Sequence, residues 1–341
     1  MNAPLAIYLH IPFCRTKCTY CAFNTYTNLD RLIDPFIGAL RREIVWAGNQ
    51  ANGARVGTVF LGGGTPSLLT AGQIAALIET IDQHFALDTK VEITIEANPN
   101  DIDERYARAL HHVGVNRISL GMQSANAAEL ALFARRHDND QTARAVSAAR
   151  AAGFTNLNLD LIYGVPHQTL DTWAWTLEQM LHLQPDHVSL YALGLEDGTP
   201  MQEWVAKGRL PAPDDDLAAD MYELATDILG DAGFGQYEIS NWAKPGFQCR
   251  HNLQYWRNLP YLGLGPGAHG YAGNTRYAVM LSPQRYIQAM LNTANGELTF
   301  PLTPGVDMAT VIRMDRAGEM ADTLLMGLRL TEEGIIRRDF L

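Results

Sequence analysis

The sequence has no apolar run near the ~20 residues that a membrane-spanning helix needs. No basic, apolar leader precedes Leu5, where a strand-like segment starts. Positive charge is scarce: 26 Lys and Arg against 37 Asp and Glu leave a net charge of −11. Cysteine is scarcer still, with four in 341 residues. Each shortage excludes something. The first two set aside a helical membrane protein and a secreted one, so a cytoplasmic chain without a transmembrane segment is expected. The charge argues against nucleic acid as the main partner, because phosphate backbones select basic surfaces. It also disfavours a strong electrostatic hold on anionic lipid. Three of the four cysteines are bunched, which a disulfide scaffold would not show. What the chain does have is apolar bulk. Hydrophobic residues make up 47%, enough for one large barrel or two ordinary domains.

The apolar pattern alternates between two periods. Strand-like runs are expected at Leu5–His10, Val56–Leu61, Val91–Glu96, Arg117–Gly121, Asn156–Leu161 and His187–Tyr191. Between them lie helical spacings at Leu32–Ala51, Gly72–Phe85, Asp103–Val113, Gln141–Ala152 and Leu170–Leu183. Six strand–helix units in alternation imply a parallel sheet with right-handed crossovers, either doubly wound or a partial (β/α)6 barrel. Polar residues at the strand ends favour the barrel. Glu96, Gln123, Asp160 and Tyr191 lie at or just past the C-terminal ends of four strands, where a barrel mouth gathers its chemistry. Period-two counting puts Glu96 on a face with Thr94, and Asp160 on a face with Asn158, opposite the leucines and isoleucines.

The rhythm changes near residue 200. The expected division is a barrel core over 1–200, an α+β extension over 201–310 and the start of a helical domain over 311–341. Within the extension, Tyr237–Tyr277 is rich in Gly, Pro, Tyr and Trp and reads as short strands. Helices are expected at Asp215–Ala232, Pro283–Leu291 and Glu319–Leu330.

The clustered cysteines are Cys14, Cys18 and Cys21, spaced C-x3-C-x2-C directly after the first strand. Three thiolates this close can hold a cubane iron–sulfur cluster by three of its four irons, leaving one iron open. A structural zinc would need a fourth ligand, from Cys249 or a histidine, and C-x3-C is an unusual zinc spacing. With the flanking Tyr8-x-His-Ile-Pro-Phe-Cys14, the segment resembles the radical S-adenosylmethionine (SAM) superfamily. Within it the segment looks like the anaerobic coproporphyrinogen-III oxidase-like family, which includes the heme chaperone HemW branch. The resemblance spans residues 5 to about 330. It implies a TIM-like radical SAM barrel, a 4Fe-4S cluster on Cys14, Cys18 and Cys21, and SAM on the open iron. It also implies a complete C-terminal helical domain, of which this sequence carries only the opening.

Relatives that process coproporphyrinogen hold two SAM molecules. Carried over by motif, Tyr8, Gly63 and Glu96 match first-site positions. Tyr20, Gly64, Thr65, Gln123, Arg135, Asp160 and Ala192 match the second. Gly63, Gly64 and Thr65 belong to Gly-Gly-Gly-Thr-Pro66, Glu96 to Ile-Glu-Ala-Asn-Pro99, and Arg135 to Arg-Arg-His137. His10 reads as structural.

A second constellation is Cys249-Arg-His251-Asn252-Leu-Gln-Tyr255-Trp256. As bare residues it describes a bend that packs two aromatics on the barrel. Its His-Asn-x-x-Tyr-Trp order resembles the heme chaperone signature, which implies heme contact by His251, Asn252, Tyr255 and Trp256, with His251 the expected axial ligand.

Two functions stay open. One is a radical dehydrogenase of coproporphyrinogen III, in which reduced cluster and SAM yield a radical that abstracts hydrogen from a propionate. The other is a heme chaperone that hands heme to an acceptor hemoprotein, for example of the respiratory chain, and that forms a homodimer. The dehydrogenases carry a fourth cysteine where this chain has Phe23, and a longer segment before the cluster. Both departures point to the chaperone. A radical enzyme acting on RNA is disfavoured by the acidic charge.

Overall fold

The computed structural model describes residues 3–292 and 298–335. Twelve strands form one sheet. Strands β1 (Leu5–Ile11), β2 (Arg55–Gly63), β3 (Ala86–Ala97), β4 (Arg117–Gln123), β5 (Leu157–Tyr163) and β6 (His187–Ala192) lie side by side in sequence order, all parallel. A doubly wound sheet reverses its order at a switch point. An unreversed 1-to-6 order is the arc of a barrel. The order has two ends, so the described strands make an open arc, not a closed ring.

Five crossover segments cover the outside: α1 (Ile33–Ala51), α2 (Ala71–His84), α3 (Glu104–His112), the pair α4 (Ala127–Leu132) and α5 (Asn139–Ala151), and α6 (Leu170–His182). Local chemistry starts them. Thr70 with Gln73, Asp138 with Gln141 and Thr169 with Thr172 form capping boxes at α2, α5 and α6. Alternation along the strands separates the two faces. Ile7, Leu9 and Ile11 of β1 join Phe36, Leu40 and Ile44 of α1 in the main core. The opposite face points into the arc and is polar: Tyr8, His10, Glu92, Thr94, Glu96, Arg117, Ser119, Asn158, Asp160, His187 and Ser189.

Beyond residue 200 come α7 (Pro200–Ala206), α8 (Asp215–Asp231), β7 (Gly235–Glu238), β8 (Asn241–Ala243), α9 (Arg250–Trp256), β9 (Tyr261–Leu264), β10 (His269–Ala272), β11 (Thr275–Ala278), α10 (Pro283–Asn292), β12 (Ile312–Arg313) and α11 (Arg316–Gly327). These strands continue the same sheet at both margins. β8 runs antiparallel to β6, and β9 runs parallel to β1. The expected 311–341 segment is described as far as residue 335, where α11 is its helix; the remainder lies outside the described residues. No helix among the described residues is long and apolar enough to cross a membrane.

The expected bend at Cys249–Trp256 is instead the helix α9. Seven residues are too few to show a helical period. Its start has no side-chain cap of its own. The Glu92 carboxylate of β3 accepts the backbone N–H groups of Arg250 (3.1 Å) and His251 (3.0 Å), a cap that arrives through the fold.

Candidate functional site

A cavity of about 580 Å³ opens at the C-terminal ends of β1–β6. That is an ordinary size for a small-molecule site. Its wall contains Cys14, Cys18 and Cys21. It also contains Tyr20, Gly63, Gly64, Thr65, Glu96, Gln123, Arg135, Asp160 and Ala192. Nine of the ten residues expected to hold SAM therefore share one wall with the three cysteines. Tyr8 is the tenth. It sits one layer deeper, its hydroxyl 3.0 Å from His10 Nδ1. His10 in turn reaches the Asn24 carbonyl through Nε2 (3.0 Å), the structural role expected of it.

The glycine strand end and the cysteine loop are pressed together. Gly64 N–H donates to the Ile11 carbonyl and Thr65 N–H to the Phe13 carbonyl, both at 2.8 Å. A Cβ on Gly64 would lie 2.6 Å from the Phe13 carbonyl oxygen, and Gly63 has φ +106° with His10 directly behind it. Neither position has room for a side chain. Gly63 N–H is left to donate to the Glu96 carboxylate at 3.0 Å.

The cysteines are free thiols. Burial pushes the Cys14 and Cys21 thiols up. Among the described residues no three His, Cys, Asp or Glu side chains converge as they would on a single metal ion. A cubane offers each of three thiolates on one loop a separate iron corner. The donor set fits the cluster. Two sulfurs already receive hydrogen bonds: Thr65 Oγ1 donates to Cys14 Sγ (3.4 Å) and Arg135 Nη1 to Cys18 Sγ (3.5 Å). Phe23, at 69% exposure, projects from the rim.

The two arginines of Arg-Arg-His part company. Arg135 turns in, held by Asn98 Oδ1 (2.6 Å) and the Gly121 carbonyl (2.8 Å). Arg136 turns out to Asp101 at 3.5 Å. Ala134 makes the turn with φ +56°. The buried His137 secures it, its Nε2 2.9 Å from the Met122 carbonyl. Burial and the Arg135 charge lower the His137 pKa to about 4, so it stays neutral. Gln123 also has a left-handed backbone, φ 64°. The left-handed turn sets its side chain on the cavity wall.

Three carboxylates line the space, Glu96, Asp160 and Glu196. Burial and the nearby Asp160 raise Glu96 to about 7, against help from Gly63 N–H and Arg117. Burial also raises Asp160, although Ser119 Oγ (3.0 Å) and Asn158 Nδ2 (2.8 Å) both donate to it. Behind them Asn158 Oδ1 lies 2.6 Å from His187 Nδ1, and His187 Nε2 lies 2.8 Å from the Tyr237 hydroxyl.

This geometry agrees with what comparison with known proteins returns. The Radical SAM superfamily profile matches residues 8–180. The heme chaperone HemW of Mycobacterium tuberculosis H37Rv is 43% identical over 290 residues, 84% of this chain and 74% of that one. HemW of Synechocystis is 37% identical over 334 residues, 96% and 78% of the two chains. The chain belongs to the radical SAM superfamily, in its HemW family. Among solved structures, coproporphyrinogen III oxidase HemN from Escherichia coli, a radical SAM enzyme, superposes with a TM-score of 0.82 at 25% identity, over 96% of this chain and 76% of that one.

The His-Asn-x-x-Tyr-Trp segment, His251 to Trp256, lies elsewhere. None of its four residues lines the cysteine cavity. Glu92, which caps α9, sits four residues before Glu96 on β3, roughly 13 Å lower on the strand. His251 is buried at 1% exposure. Its Nδ1 is 2.7 Å from Thr58 Oγ1 and its Nε2 is 2.8 Å from the Tyr255 hydroxyl. The ring stacks on Phe60, with centroids 5.1 Å apart. Burial, assisted by Arg117, lowers its pKa to about 3. Both nitrogens are thus engaged, and the expected axial ligand is not free in this conformation. Asn252 reaches the Tyr237 hydroxyl. Trp256 is half-buried under the Arg329 guanidinium, 4.4 Å from its ring centre, and its indole N–H has no partner.

Sequence reasoning passed over three residues of this interior. Asn98 and Ser119 line the cavity; Asn98 was legible only as part of Glu-Ala-Asn-Pro. Arg117 is a fully buried arginine facing Glu92, Cys249 and Asp160. A charged residue opening an otherwise apolar strand was its one signal.

Proposed function

We propose that this protein binds heme and passes it to an acceptor hemoprotein, with a 4Fe-4S cluster on Cys14, Cys18 and Cys21 and SAM in the adjoining cavity. The observation that carries the reading is the likeness, over most of the chain, to relatives named heme chaperone HemW. A 4Fe-4S cluster with an open iron supplies, when bound, a low-potential electron and a Lewis-acid corner beside SAM. The rest falls to the chain's own residues. Glu96 and the backbone at Gly63 offer the charge and close approach that an ammonium group needs. Arg135 presents a fixed guanidinium, suited to a carboxylate. Asp160 and Gln123 offer acceptors and donors to ribose and base.

Heme contact is assigned to His251, Asn252, Tyr255 and Trp256. Axial ligation by His251 requires release of its bonds to Thr58 and Tyr255, so α9 has to open. A homodimer and a respiratory acceptor belong to this reading as proposals.

The second reading is oxygen-independent dehydrogenation of coproporphyrinogen III, favoured by the superposition on HemN. Phe23 at the cavity rim, in place of a fourth cysteine, counts against it. Anaerobic reconstitution with iron and sulfide, followed by optical titration with hemin, separates the two. Stoichiometric hemin binding with no conversion of coproporphyrinogen III is expected. Robust decarboxylation of that substrate would reverse the choice. The same titration on His251→Ala shows whether the imidazole contributes a ligand.

A further inference from the structure

Asn98 is the centre of a hydrogen-bonded chain that ends on two of the three cysteines. Arg135 Nη2 donates to Asn98 Oδ1 (2.6 Å), and Asn98 Nδ2 donates to Thr65 Oγ1 (3.4 Å). The outer ends then reach sulfur, Arg135 Nη1 at Cys18 and Thr65 Oγ1 at Cys14. The direction of the chain is fixed by chemistry. A guanidinium has only donors, so the amide must turn its oxygen to Arg135 and its NH2 to Thr65. Because the Thr65 oxygen accepts from Asn98, its own proton is free for Cys14. Both ends of the chain therefore donate to sulfur. The planar amide accepts on its oxygen side and donates on its nitrogen side, so one side chain joins the two arms.

We infer that Asn98 is a positioning residue that sets the reduction potential of the cluster by aiming Arg135 and Thr65 at Cys18 and Cys14. Donation to a thiolate sulfur stabilises the more negative, reduced cluster and so raises its potential. Thr65 and Asn98 lie just past the ends of β2 and β3, and Arg135 follows α4. Three crossover units of the barrel are thereby tied to the cysteine loop. This rests on the proposed cluster at Cys14, Cys18 and Cys21.

The test is an EPR-monitored redox titration of anaerobically reconstituted protein, before any SAM is added. Asn98→Ala is expected to move the midpoint to more negative potential at unchanged iron content. Thr65→Val, which keeps the shape and removes the hydroxyl, is expected to move it the same way by less. Thr65→Ser restores a donor and is expected to titrate with the unaltered protein. If Asn98→Ala does not assemble a cluster, the Val and Ser pair at position 65 decides alone. Cluster-loaded variants whose midpoints coincide with that of the unaltered chain would overturn the inference and leave the cluster reading intact. No 4Fe-4S signal in the unaltered chain would remove the reading beneath it.

Discussion

Glu96 is placed where its ionisation should control what the cavity accepts. Its carboxyl titrates near 7, because burial and Asp160 oppose the charge more than Gly63 N–H and Arg117 support it. A carboxyl raised this far binds its proton more tightly in the fold than in the unfolded chain. Its contribution to stability therefore falls as pH climbs from the ordinary carboxylate range to about 7. A cationic ligand requires the opposite, the ionised form. At pH 6 only about a tenth of the molecules would carry that charge, so SAM affinity should be about tenfold weaker than at pH 8. Calorimetric titration of the reconstituted protein at the two pH values measures this. Glu96→Gln should bind more weakly at pH 8 and lose most of the pH dependence. If the Gln variant keeps the full dependence, another group controls it. At this scale the sequence was a good guide where a motif names one residue. Where packing chooses between neighbours, the family's Arg-x-His order singled out Arg135, but the physical reason was not in the sequence. Arg135 and Arg136 differ by the turn at Ala134 and the anchor at His137, and neither is visible in the order Arg-Arg-His.

The strands and long helices announced themselves because each carries its own period, and the expected ends lie within three residues of the observed ones except at β3, which starts at Ala86 rather than Val91. Helix α9 did not, because its stability is borrowed. Glu92 supplies the cap, Thr58 and Tyr255 fix the His251 ring, and Phe60 stacks on it. All but Tyr255 lie far away in sequence. A residue so placed has a structural cost attached to any change. His251→Ala would remove the stacking and leave Thr58 and Tyr255 without a buried partner. A loss of about 3 kcal/mol is expected from an unsatisfied buried group plus a cavity. Guanidinium unfolding of the cluster-free chain should show the midpoint fall with little change in slope. An unchanged midpoint would mean that the ring is not packed as described. The same measurement guards the hemin titration, since lost heme binding in a variant that has not kept its fold would say nothing about ligation.

Across the whole molecule, cohesion is uneven. The barrel arc rests on a continuous apolar core between its strands and the surrounding helices. Helix α11 rests on something else. Gly327 is its one buried residue, while Leu324 and Leu325 face outward. It is tied down by charge and polar contacts. Arg276 pairs with Asp322 (2.6 Å), and the Tyr271 hydroxyl donates to Glu319 (2.9 Å). The following segment adds Arg257 on Glu333 (2.6 Å) and Arg329 on Glu238 (3.0 Å). The Arg276–Asp322 and Arg257–Glu333 pairs are partly exposed on both sides and contribute about 1 kcal/mol or less each, screened by salt, whereas apolar burial is not, and the Glu238 carboxylate under Arg329 is buried and less open to screening. The two parts should therefore respond differently to ionic strength. Hydrogen exchange of peptides from 316–335 should be faster than that of the β1–β6 strands and should quicken between low and high salt, while the strands hold their protection. Arg329 also covers the Trp256 ring, so loosening of α11 would uncover part of the His-Asn-x-x-Tyr-Trp helix. Tryptophan fluorescence of a Trp256→Phe variant, subtracted from that of the unaltered chain, should then show Trp256 becoming wetter as salt rises. Salt-independent exchange in α11, with Trp256 unmoved, would mean that packing rather than charge holds this end of the molecule.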